Sequence, residues 1–340
     1  MKQYPLVSII IANWNGGEIF KACLNSLNKL SYPNWELILV DNGSSDGSEN
    51  FIIRYGKIKY YKLIKNKTNL GFAQANNQGY RRARGAYILL LNNDTKVEPD
   101  FLTKLICRIE QHSQIGVIQP KIVIMDNPEY LDNVGAYLTS TGFLEHWGYM
   151  EKDGGVFDEE KIIFSAKGAC MLIRREIIEK VGLFDEDFVS YMEETDFCWR
   201  VWLLGYKILF YPQAKIYHKV GFTSKKQNQI YINYHSFKNR VASLIKNLEI
   251  GNLLLIGSIH AFLILFLSFY YLFKFQFNKT GMIWGAILWN IKNFPATFQK
   301  RQRIQEIRKK SDGQIFLWIL HKTNWTLMFS HFVKVEANFR

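Results

Sequence analysis

Short apolar runs alternate with amphipathic segments along the first 220 residues of the chain. A run such as residues 87–91, flanked by polar residues, is typical of a strand buried on both faces. The strand-like runs are "LVSIIIA" (6–12), "WELILVD" (35–41), "KIKYYKL" (57–63), "YILLL" (87–91) and "IGVIQPKIV" (115–123). Apolar residues recur at helical spacing in residues 18–30 and 99–111. The pattern of residues 168–182 is typical of a strand followed by a short helix. This repetition predicts an α/β fold with a doubly wound, mostly parallel sheet.

The last third of the chain has a different pattern. Ile250 to Phe273 form a run of 24 residues without a charge, long enough to cross about 30 Å of hydrocarbon. The next apolar piece, residues 280–291, is too short to cross. A basic cluster follows, made of Lys292, Lys300, Arg301, Arg303, Arg308, Lys309 and Lys310. We therefore predict a domain at 1–225 and a helical, membrane-associating region at 226–340.

Charge supports this division. Residues 1–220 carry 26 Lys and Arg against 26 Asp and Glu, whereas residues 221–340 carry 17 against 4, which accounts for the whole formal net charge of +13. A single crossing would place the basic cluster on the far side of the membrane, against the positive-inside tendency. We therefore favour a re-entrant or in-plane attachment to anionic lipid on the cytoplasmic face of the cell membrane. The alternative is a helical subdomain packed on the core.

Several classes of protein are disfavoured. The four cysteines are scattered, which indicates free thiols in a reducing compartment. The loop "ANWNGG" after the first strand lacks the dinucleotide fingerprint G-x-G-x-x-G, which disfavours a hydride-transfer enzyme. The basic charges alternate with long apolar runs instead of lining a groove, so we expect no nucleic-acid partner.

Polar side chains follow the second and fourth predicted strands, where open α/β sheets bind ligands. Asp41 opens "DNGSSDGS" and could accept hydrogen bonds from a base N–H or a ribose hydroxyl, although an ordinary turn explains this loop equally well. Asp94 ends "NND", and with a neighbouring amide oxygen it could bind Mg²⁺ or Mn²⁺ together with a diphosphate. A helix-capping or turn role for Asp94 stays open.

A second acidic group opens the predicted helix in "SYMEETDFCWRVWLLG" (190–205). Glu193, Glu194 and Asp196 lie at its N-terminus, where the helix dipole should lower their pKa values and keep them ionised. An ionised carboxylate in a pocket can act as a general base. A plain capping cluster is the alternative. His218 is a lone histidine after another strand-like run, and lone histidines are usually structural.

Seven segments together resemble glycosyltransferase family 2, in particular its rhamnosyltransferase-like branch, over residues 5 to 225. They are "VSIIIANWNG", "LILVDNGSSDGS", "NLGFAQANNQGY", "YILLLNNDT", "GACMLIRREIIEKVGLFDEDF", "YMEETDFCWR" and "YHKVGFTS". Their order along the chain makes the resemblance specific. It implies a GT-A-type fold, a nucleoside-diphosphate sugar donor, a divalent cation (Mg²⁺ or Mn²⁺), and inversion at the anomeric carbon.

The resemblance also implies residue roles on the donor side. Asp41 would recognise a pyrimidine base, and Ala12 and Asn13 would line the nucleotide pocket. Asn92 and Asp94 would occupy the outer positions of the family's metal motif, with Asp94 as the direct ligand. The motif begins here with Asn instead of the family's Asp.

The remaining implied roles concern the sugar, the acceptor and the leaving group. Glu194 would be the catalytic base, at a position where the family more usually has Asp. The other positions are Gly168 and Ala169 beside the donor sugar, Glu193 and Asp196 in the acceptor site, and His218 on the metal or diphosphate.

The function that follows is an inverting, metal-dependent glycosyltransferase. It would move a rhamnose-like sugar or another hexose from a dTDP- or UDP-linked donor to a lipid-linked or polysaccharide acceptor in cell-surface glycan synthesis. A non-catalytic, membrane-bound sugar- or nucleotide-binding protein on a degenerate transferase fold is the alternative. A processive synthase is disfavoured, because the chain has no Q-x-x-R-W motif and no set of several long membrane spans.

Overall fold

The computed structural model describes residues 4–55, 58, 60–222 and 227–326. The strands in these ranges are β1 (Val7–Asn13), β2 (Trp35–Asp41), β3 (Tyr61–Lys65), β4 (Tyr87–Leu91), β5 (Thr95–Val97), β6 (Ile115–Ile124), β7 (Asn127–Asn133), β8 (Ala136–Thr139), β9 (Leu144–His146), β10 (Lys161–Ile163), β11 (Cys170–Arg174), β12 (Lys207–His218) and β13 (Leu320–His321). The helices are α1 (Gly17–Leu27), α2 (Phe51–Tyr55), α3 (Phe72–Arg82), α4 (Phe101–Glu110), α5 (Arg175–Val181), α6 (Glu193–Leu203), α7 (Gln229–Asn247), α8 (Ile250–Phe273), α9 (Phe277–Lys292), α10 (Phe294–Ile307) and α11 (Asp312–Ile319).

The main sheet is mixed. Its strands follow the order β10-β12-β6-β11-β4-β1-β2-β3. β3, β2, β1 and β4 are parallel, as the strand–helix alternation predicts. β11 then inserts antiparallel to both β4 and β6, and β6 runs parallel to β12. The α/β, doubly wound prediction is confirmed, and the antiparallel insertion is the feature that strand–helix alternation did not reveal.

Most predicted strand positions agree with the structure. β4 has the predicted bounds, and β1 and β2 differ by at most one residue. The third strand was predicted at 57–63 but begins at Tyr61, while residues 57 and 59 lie outside the described residues. Alternate side chains of 57–63 do not form a clean apolar face, so its pattern fixes the register of this edge strand poorly.

Alternate residues of the central strands face two hydrophobic cores, as expected for a sheet covered on both sides. On one side Ile10 and Ile88 pack in a core that also contains residues of α5 and α6. On the other side Ile9 and Leu89 pack against α1 and α4. Because the strands are packed on both faces, their ends have defined positions, and so do the starts of the loops that follow them.

The C-terminal helices extend the first of these cores. Leu244, Ile256, Ile304 and Ile315 are buried in the same cluster as Ile10, and β13 pairs with β8 of a small second sheet. The residues on the two sides of the predicted boundary at 225 therefore share one core.

The outer side of α8 is apolar and exposed. Phe262, Phe266 and Phe269 each leave more than half of their surface accessible, at 68%, 53% and 54%. Among the described residues, α8 is the one helix whose length and composition suit a membrane crossing. Only 28% of its most apolar 18-residue segment is buried. The helix thus packs on the body with one side and presents hydrocarbon on the other.

Part of the predicted basic cluster binds groups of the protein itself. Lys300 binds Asp185 and Asp187 with Nζ–O distances of 2.5 Å. Arg301 donates to the Leu248 carbonyl oxygen at 2.6 Å, and Arg308 pairs with Asp312 at 2.9 Å. The expectation that the whole cluster lies on lipid is therefore wrong for these three cations, because they bind acceptors of the protein itself.

Candidate functional site

A groove opens where β1, β2 and β4 end, with a cavity volume of about 450 Å³. It is lined by Ala12, Asn13, Trp14, Asn42, Asn69, Gly71, Phe72, Asn92, Asn93, Ser190, Gln227, Asn228 and Tyr231. We call it the strand-end groove. Seven of these side chains are carboxamides and none carries a charge, so the lining can both donate and accept hydrogen bonds. Three predicted residues, Ala12, Asn13 and Asn92, belong to it.

Asp41 lies behind this lining. β1 and β2 pair in register, which places Asn13 opposite Asp41 at the strand ends. Asn13 Nδ2 donates to Asp41 Oδ1 at 3.2 Å and to Ser48 Oγ at 2.9 Å. Asn93 Nδ2 in turn donates to Asn13 Oδ1 at 2.8 Å. Asp41 thus orients Asn13, which connects the β2 loop to the "NND" loop.

Asp94 and His218 meet because β5 pairs with β12. The antiparallel register sets Thr95 opposite His218, so Asp94 Oδ1 lies 3.2 Å from His218 Nε2. The other ring nitrogen, Nδ1, lies 2.8 Å from Asp132 Oδ2. The imidazole is therefore held between two carboxylates at the end of the sheet.

These two carboxylates determine the charge of His218. Burial alone would lower the pKa of His218, but the nearby Asp94 and Asp132 carboxylates outweigh it and raise this pKa to about 9. The imidazole is consequently protonated at neutral pH and places a positive charge beside Asp94.

Asp132 and Lys167 extend this network and were missed by the sequence analysis. Lys167 Nζ donates to Asp132 at 2.6 Å and 2.7 Å. Although burial favours the neutral acid, Lys167 and His218 hold the pKa of the Asp132 carboxyl well below its usual range. Asp132 comes from β7, which pairs with β6. No local motif marks that pairing, so only tertiary structure reveals these residues.

Glu194 lies close to the groove wall. A Cβ on Gly168 would stand 3.4 Å from the Phe72 ring, which lines the groove, and 3.8 Å from Glu194 Cβ. Ala169 is one residue further, and its carbonyl oxygen accepts from Asn92 N at 2.9 Å. The predicted residues Gly168, Ala169, Glu194 and Asn92 are therefore neighbours.

The prediction that the helix dipole keeps Glu193 and Glu194 readily ionised is wrong. Burial raises the pKa of Glu194, although backbone N–H groups at the helix start, the Lys167 cation and the Gly168 N–H oppose the rise. Burial and the neighbouring Glu194 charge raise the pKa of Glu193 well above its usual value. Each carboxyl also has one buried oxygen without a hydrogen bond among the described residues. Burial outweighs the helix dipole here, which makes Glu194 a stronger base when it is ionised.

A strained loop presents this pair. Val189, Tyr191 and Met192 have φ angles of 64°, 69° and 70°, in a region that side chains with a Cβ rarely adopt. Asn239 of α7 stabilises the loop, because its Nδ2 donates to the carbonyl oxygens of Phe188, Ser190 and Tyr191 at 2.9, 2.9 and 2.6 Å. The C-terminal region thus contributes directly to the position of Glu193 and Glu194.

Asp196 lies elsewhere, fully buried on the far side of α6. Its carboxylate accepts from Arg200 Nε at 3.1 Å, from Asn247 Nδ2 at 2.9 Å and from Ser243 Oγ at 3.1 Å, and Lys246 Nζ lies 3.0 Å away. It borders a separate cavity of about 420 Å³. The structure does not bring Asp196 to the strand-end groove and gives it an anchoring position between α6 and α7.

The residues present allow a modest cation site. Among the described residues, no three His, Cys, Asp or Glu side chains converge in a way that could hold a metal ion. Asp94 offers one carboxylate beside the amides of Asn92 and Asn93. That set suits a hard cation that takes its other ligands from substrate phosphates and water, as Mg²⁺ commonly does. His218, while protonated, has no lone pair to offer to a metal.

Comparison with models of known protein families shows which family the chain belongs to. The model of Glycosyl transferase family 2 matches residues 8–182, slightly more than half of the chain. The chain belongs to glycosyl transferase family 2.

Two similar proteins are longer than the chain. The poly-beta-1,6-N-acetyl-D-glucosamine synthase of Staphylococcus epidermidis is 24% identical over 63% of this chain and 50% of its own length. The uncharacterised protein y4gI of Sinorhizobium fredii is 28% identical over 64% of this chain and 25% of its own length. The chain therefore spans half or less of these relatives.

A solved structure supports the fold of this family 2 chain. The mannosyltransferase PcManGT from Pyrobaculum calidifontis, in complex with GDP-Man and Mn²⁺, superposes with a TM-score of 0.56. The match covers all of this chain and 89% of the other, at 15% identity. The GT-A-type fold that the sequence resemblance implied is confirmed.

Proposed function

We propose that the chain is an inverting, metal-dependent glycosyltransferase. In this proposal it transfers a rhamnose-like sugar or another hexose from a dTDP- or UDP-linked donor to a lipid-linked or polysaccharide acceptor. The reaction takes place at the cytoplasmic face of the cell membrane, in the synthesis of a cell-surface glycan. Membership of glycosyl transferase family 2 supports the reaction class.

One observation carries the proposal. The half-buried Glu194, whose carboxyl has a raised pKa, lies near Phe72 of the strand-end groove. The loop that lines the groove with Asn92 and Asn93 continues into Asp94, beside the protonated His218. A base for the acceptor and a positive charge for the leaving group are the two things that displacement of a nucleoside diphosphate requires.

The mechanism follows from these positions. Glu194, ionised, removes the proton from an acceptor hydroxyl as its oxygen attacks the anomeric carbon. The bond from that carbon to the diphosphate oxygen breaks on the opposite face, and this inverts the configuration. The His218 imidazolium stabilises the negative charge that develops on the diphosphate. A divalent cation held by Asp94 and the phosphates would supply further positive charge to the same leaving group.

The lining of the groove bears on the donor sugar. Its amide side chains come from several loops, such as Asn42, Asn69 and Gln227, and they suit hydroxyl groups because each amide donates and accepts. A carboxylated or amino sugar would find no opposite charge in this lining. A neutral hexose or deoxyhexose therefore fits best, and the rhamnose-like assignment rests on this and on the sequence resemblance.

A second function is favoured by one feature. The motif at 92–94 contains a single carboxylate, and it begins with Asn92. A non-catalytic sugar- or nucleotide-binding protein would need no stronger cation site than this. Binding without turnover would distinguish it from the transferase.

A screen of nucleotide sugars with the intact protein and Mn²⁺ tests the proposal. We expect one donor to bind and to release its nucleoside diphosphate slowly in the absence of acceptor. Asp94→Ala should weaken Mn²⁺-dependent donor binding, whereas Asp126→Ala, at an exposed carboxylate, should not. Failure of every nucleotide sugar to bind would contradict both functions, and binding with no release would favour the second.

A further inference from the structure

A second groove lies among the C-terminal helices, and its lining is almost purely apolar. α7, α8, α9 and the start of α10 enclose a cavity of about 470 Å³, within the size range of ligand sites. Its open edge is made by Leu265, Ile291 and Phe294, which are 37%, 66% and 47% exposed. We call this cavity the apolar groove.

One polar group enters this cavity. Asn290 Nδ2 donates to the carbonyl oxygens of Lys238 and Ala286 at 3.0 and 2.9 Å. These two acceptors fix the amide orientation, because a flipped amide would set Oδ1 against two carbonyl oxygens. Asn290 is 6% exposed, and its Oδ1 has no hydrogen-bond partner among the residues that the structure describes. Leaving a buried acceptor without a hydrogen bond is unfavourable, so the cavity suits a ligand with one hydrogen-bond donor.

The apolar groove is continuous with the exposed hydrocarbon face of α8. Leu265 lines the groove and is also exposed beside Phe262 and Phe266 on the same helix. A contiguous exposed apolar band marks a membrane or protein contact. The exposed cation of Lys292 follows Ile291 directly at the edge, which suits an anionic headgroup. These features favour a lipid as the occupant.

Helix α7 connects this groove to the strand-end groove. Tyr231 lines the strand-end groove, and Ile245 lines the apolar groove. Tyr231, Lys238 and Ile245 recur every seven residues, so they lie on one face of the helix. Asn290 binds the Lys238 carbonyl, which is roughly 10 Å along the helix axis from Tyr231. Asn290 is therefore nearer to the strand-end groove than Ile245 is.

We propose that the apolar groove binds the hydrocarbon chain of a lipid-linked acceptor, whose polar end donates a hydrogen bond to Asn290 and extends towards the strand-end groove. This assignment rests on the proposed transferase function, which supplies the reason for an acceptor to extend along α7. It explains why an open apolar cavity lies on the same helix as the reaction site.

Photolabelling tests the proposal with a defined probe. The probe is a glucosyl dodecyl diphosphate with a diazirine at the chain terminus, whose sugar hydroxyls can donate a hydrogen bond, added to the intact protein on vesicles of phosphatidylcholine and phosphatidylglycerol. We expect labelled peptides from 261–265 and 287–294. Ala261→Trp, which fills the groove, should reduce this labelling about tenfold, equivalent to ~1.4 kcal/mol of binding free energy. Leu254→Trp, an exposed position on α8 outside the groove, should leave it unchanged.

The other occupants give different results, and each would overturn the proposal. Labelling spread evenly over Phe262, Phe266 and Phe269, and insensitive to Ala261→Trp, would mean ordinary bilayer contact. Equal labelling by a dodecane diazirine, which has no hydrogen-bond donor, would mean that the groove accepts any bilayer chain. A stable dimer with no labelling would mean that a second copy covers this face. Thermal unfolding of Ala261→Trp checks that the variant folds.

Donor binding separates this proposal from the proposed function. Nucleotide binding to the same vesicle-bound protein reports only on the strand-end groove. Its absence in the unmutated protein would count against the transferase, whereas the location of the label depends only on the apolar groove.

Discussion

Charged side chains have different positions in the α/β region up to residue 222 and in the helical region from residue 227. In the α/β region, charged groups at the strand ends form a buried network, Asp94–His218–Asp132–Lys167, beside the proposed reaction site. In the helical region, cations such as Lys246 and Lys300 face inward and anchor the helices, while the outer surface is hydrocarbon. The helical region thus supports the reaction site with its inner face and leaves its outer face for lipid.

Breaking the inner anchor should have the largest effect on stability. Lys246 is 2% exposed and lies 2.7 Å from Asp185 and 3.0 Å from Asp196. Lys246→Met leaves buried carboxylates with less compensating charge, and we expect a loss of about 3–5 kcal/mol in the free energy of unfolding. Denaturant unfolding measures it, with the exposed Lys292→Met as control. Equal stability of the two variants would show that the regions are held together by apolar packing alone.

The next effect concerns the loop that presents the Glu193–Glu194 pair. Asn239→Ala removes the hydrogen bonds to three loop carbonyls, and we expect a destabilisation of about 1–3 kcal/mol. Turnover should also fall, because residues 189–192 lose the contact that stabilises their strained backbone. Steady-state kinetics and thermal unfolding check both parts. An unchanged turnover would mean that contacts within the α/β region are sufficient to hold residues 189–192 in their active conformation.

A pH-dependent effect on stability should reveal the protonation state of Glu193. The folded-state pKa of Glu193 is raised, so its protonated form is favoured in the native state and its ionisation is opposed. The resulting stability is fully present below the ordinary glutamate pKa of 4.5 and is lost as pH rises towards the raised pKa of the folded state. Glu193→Gln removes the ionisable group, so the variant should not lose stability in this way as pH rises.

We therefore expect Glu193→Gln to unfold a few degrees higher than the unmutated protein at neutral pH, on the order of what ~1 kcal/mol gives. The two proteins should converge at pH values below about 4.5. Thermal unfolding across this range is the measurement. A variant that is less stable at neutral pH would mean that Glu193 is ionised in the native state.

The smallest effect concerns the outer face. Lys292 is exposed at the end of α9, so Lys292→Gln should weaken adsorption to vesicles containing phosphatidylglycerol by up to about 1 kcal/mol. Sedimentation with vesicles measures it. Lys300→Gln should instead lower stability, since Lys300 binds Asp185 and Asp187. Equal loss of adsorption in both variants would contradict the division into an inner and an outer face.

The sequence predicted local elements well where one pattern dominates. α8 has the predicted bounds of 250 and 273, because an uncharged run of this length fits few other structures. The ends of β1, β2 and β4 were also predictable, so Asn13, Asp41 and Asn92 could be assigned to one edge of the sheet. The start of β3 was not, because an edge strand with polar residues on both faces has no strong register.

Charge states and long-range partners were less predictable. The helix-dipole argument failed for Glu193 and Glu194 because the burial of these side chains is decided by tertiary packing. Asp132 and Lys167 belong to the same network as His218, but they reach it through the pairing of distant strands. Asp196 follows Glu194 by two residues. Two residues of an α-helix turn the side chain by about 200°, so Asp196 points to the opposite face from Glu194.

The central claim is that Glu194 acts as the base of a transfer reaction in the strand-end groove. The most direct test compares Glu194→Gln with the unmutated protein, using the donor found by the nucleotide-sugar screen. We predict that the variant binds donor with nearly the same affinity but turns over about 10²-fold or more slowly. Turnover close to that of the unmutated protein, with unchanged donor binding, would contradict the claim.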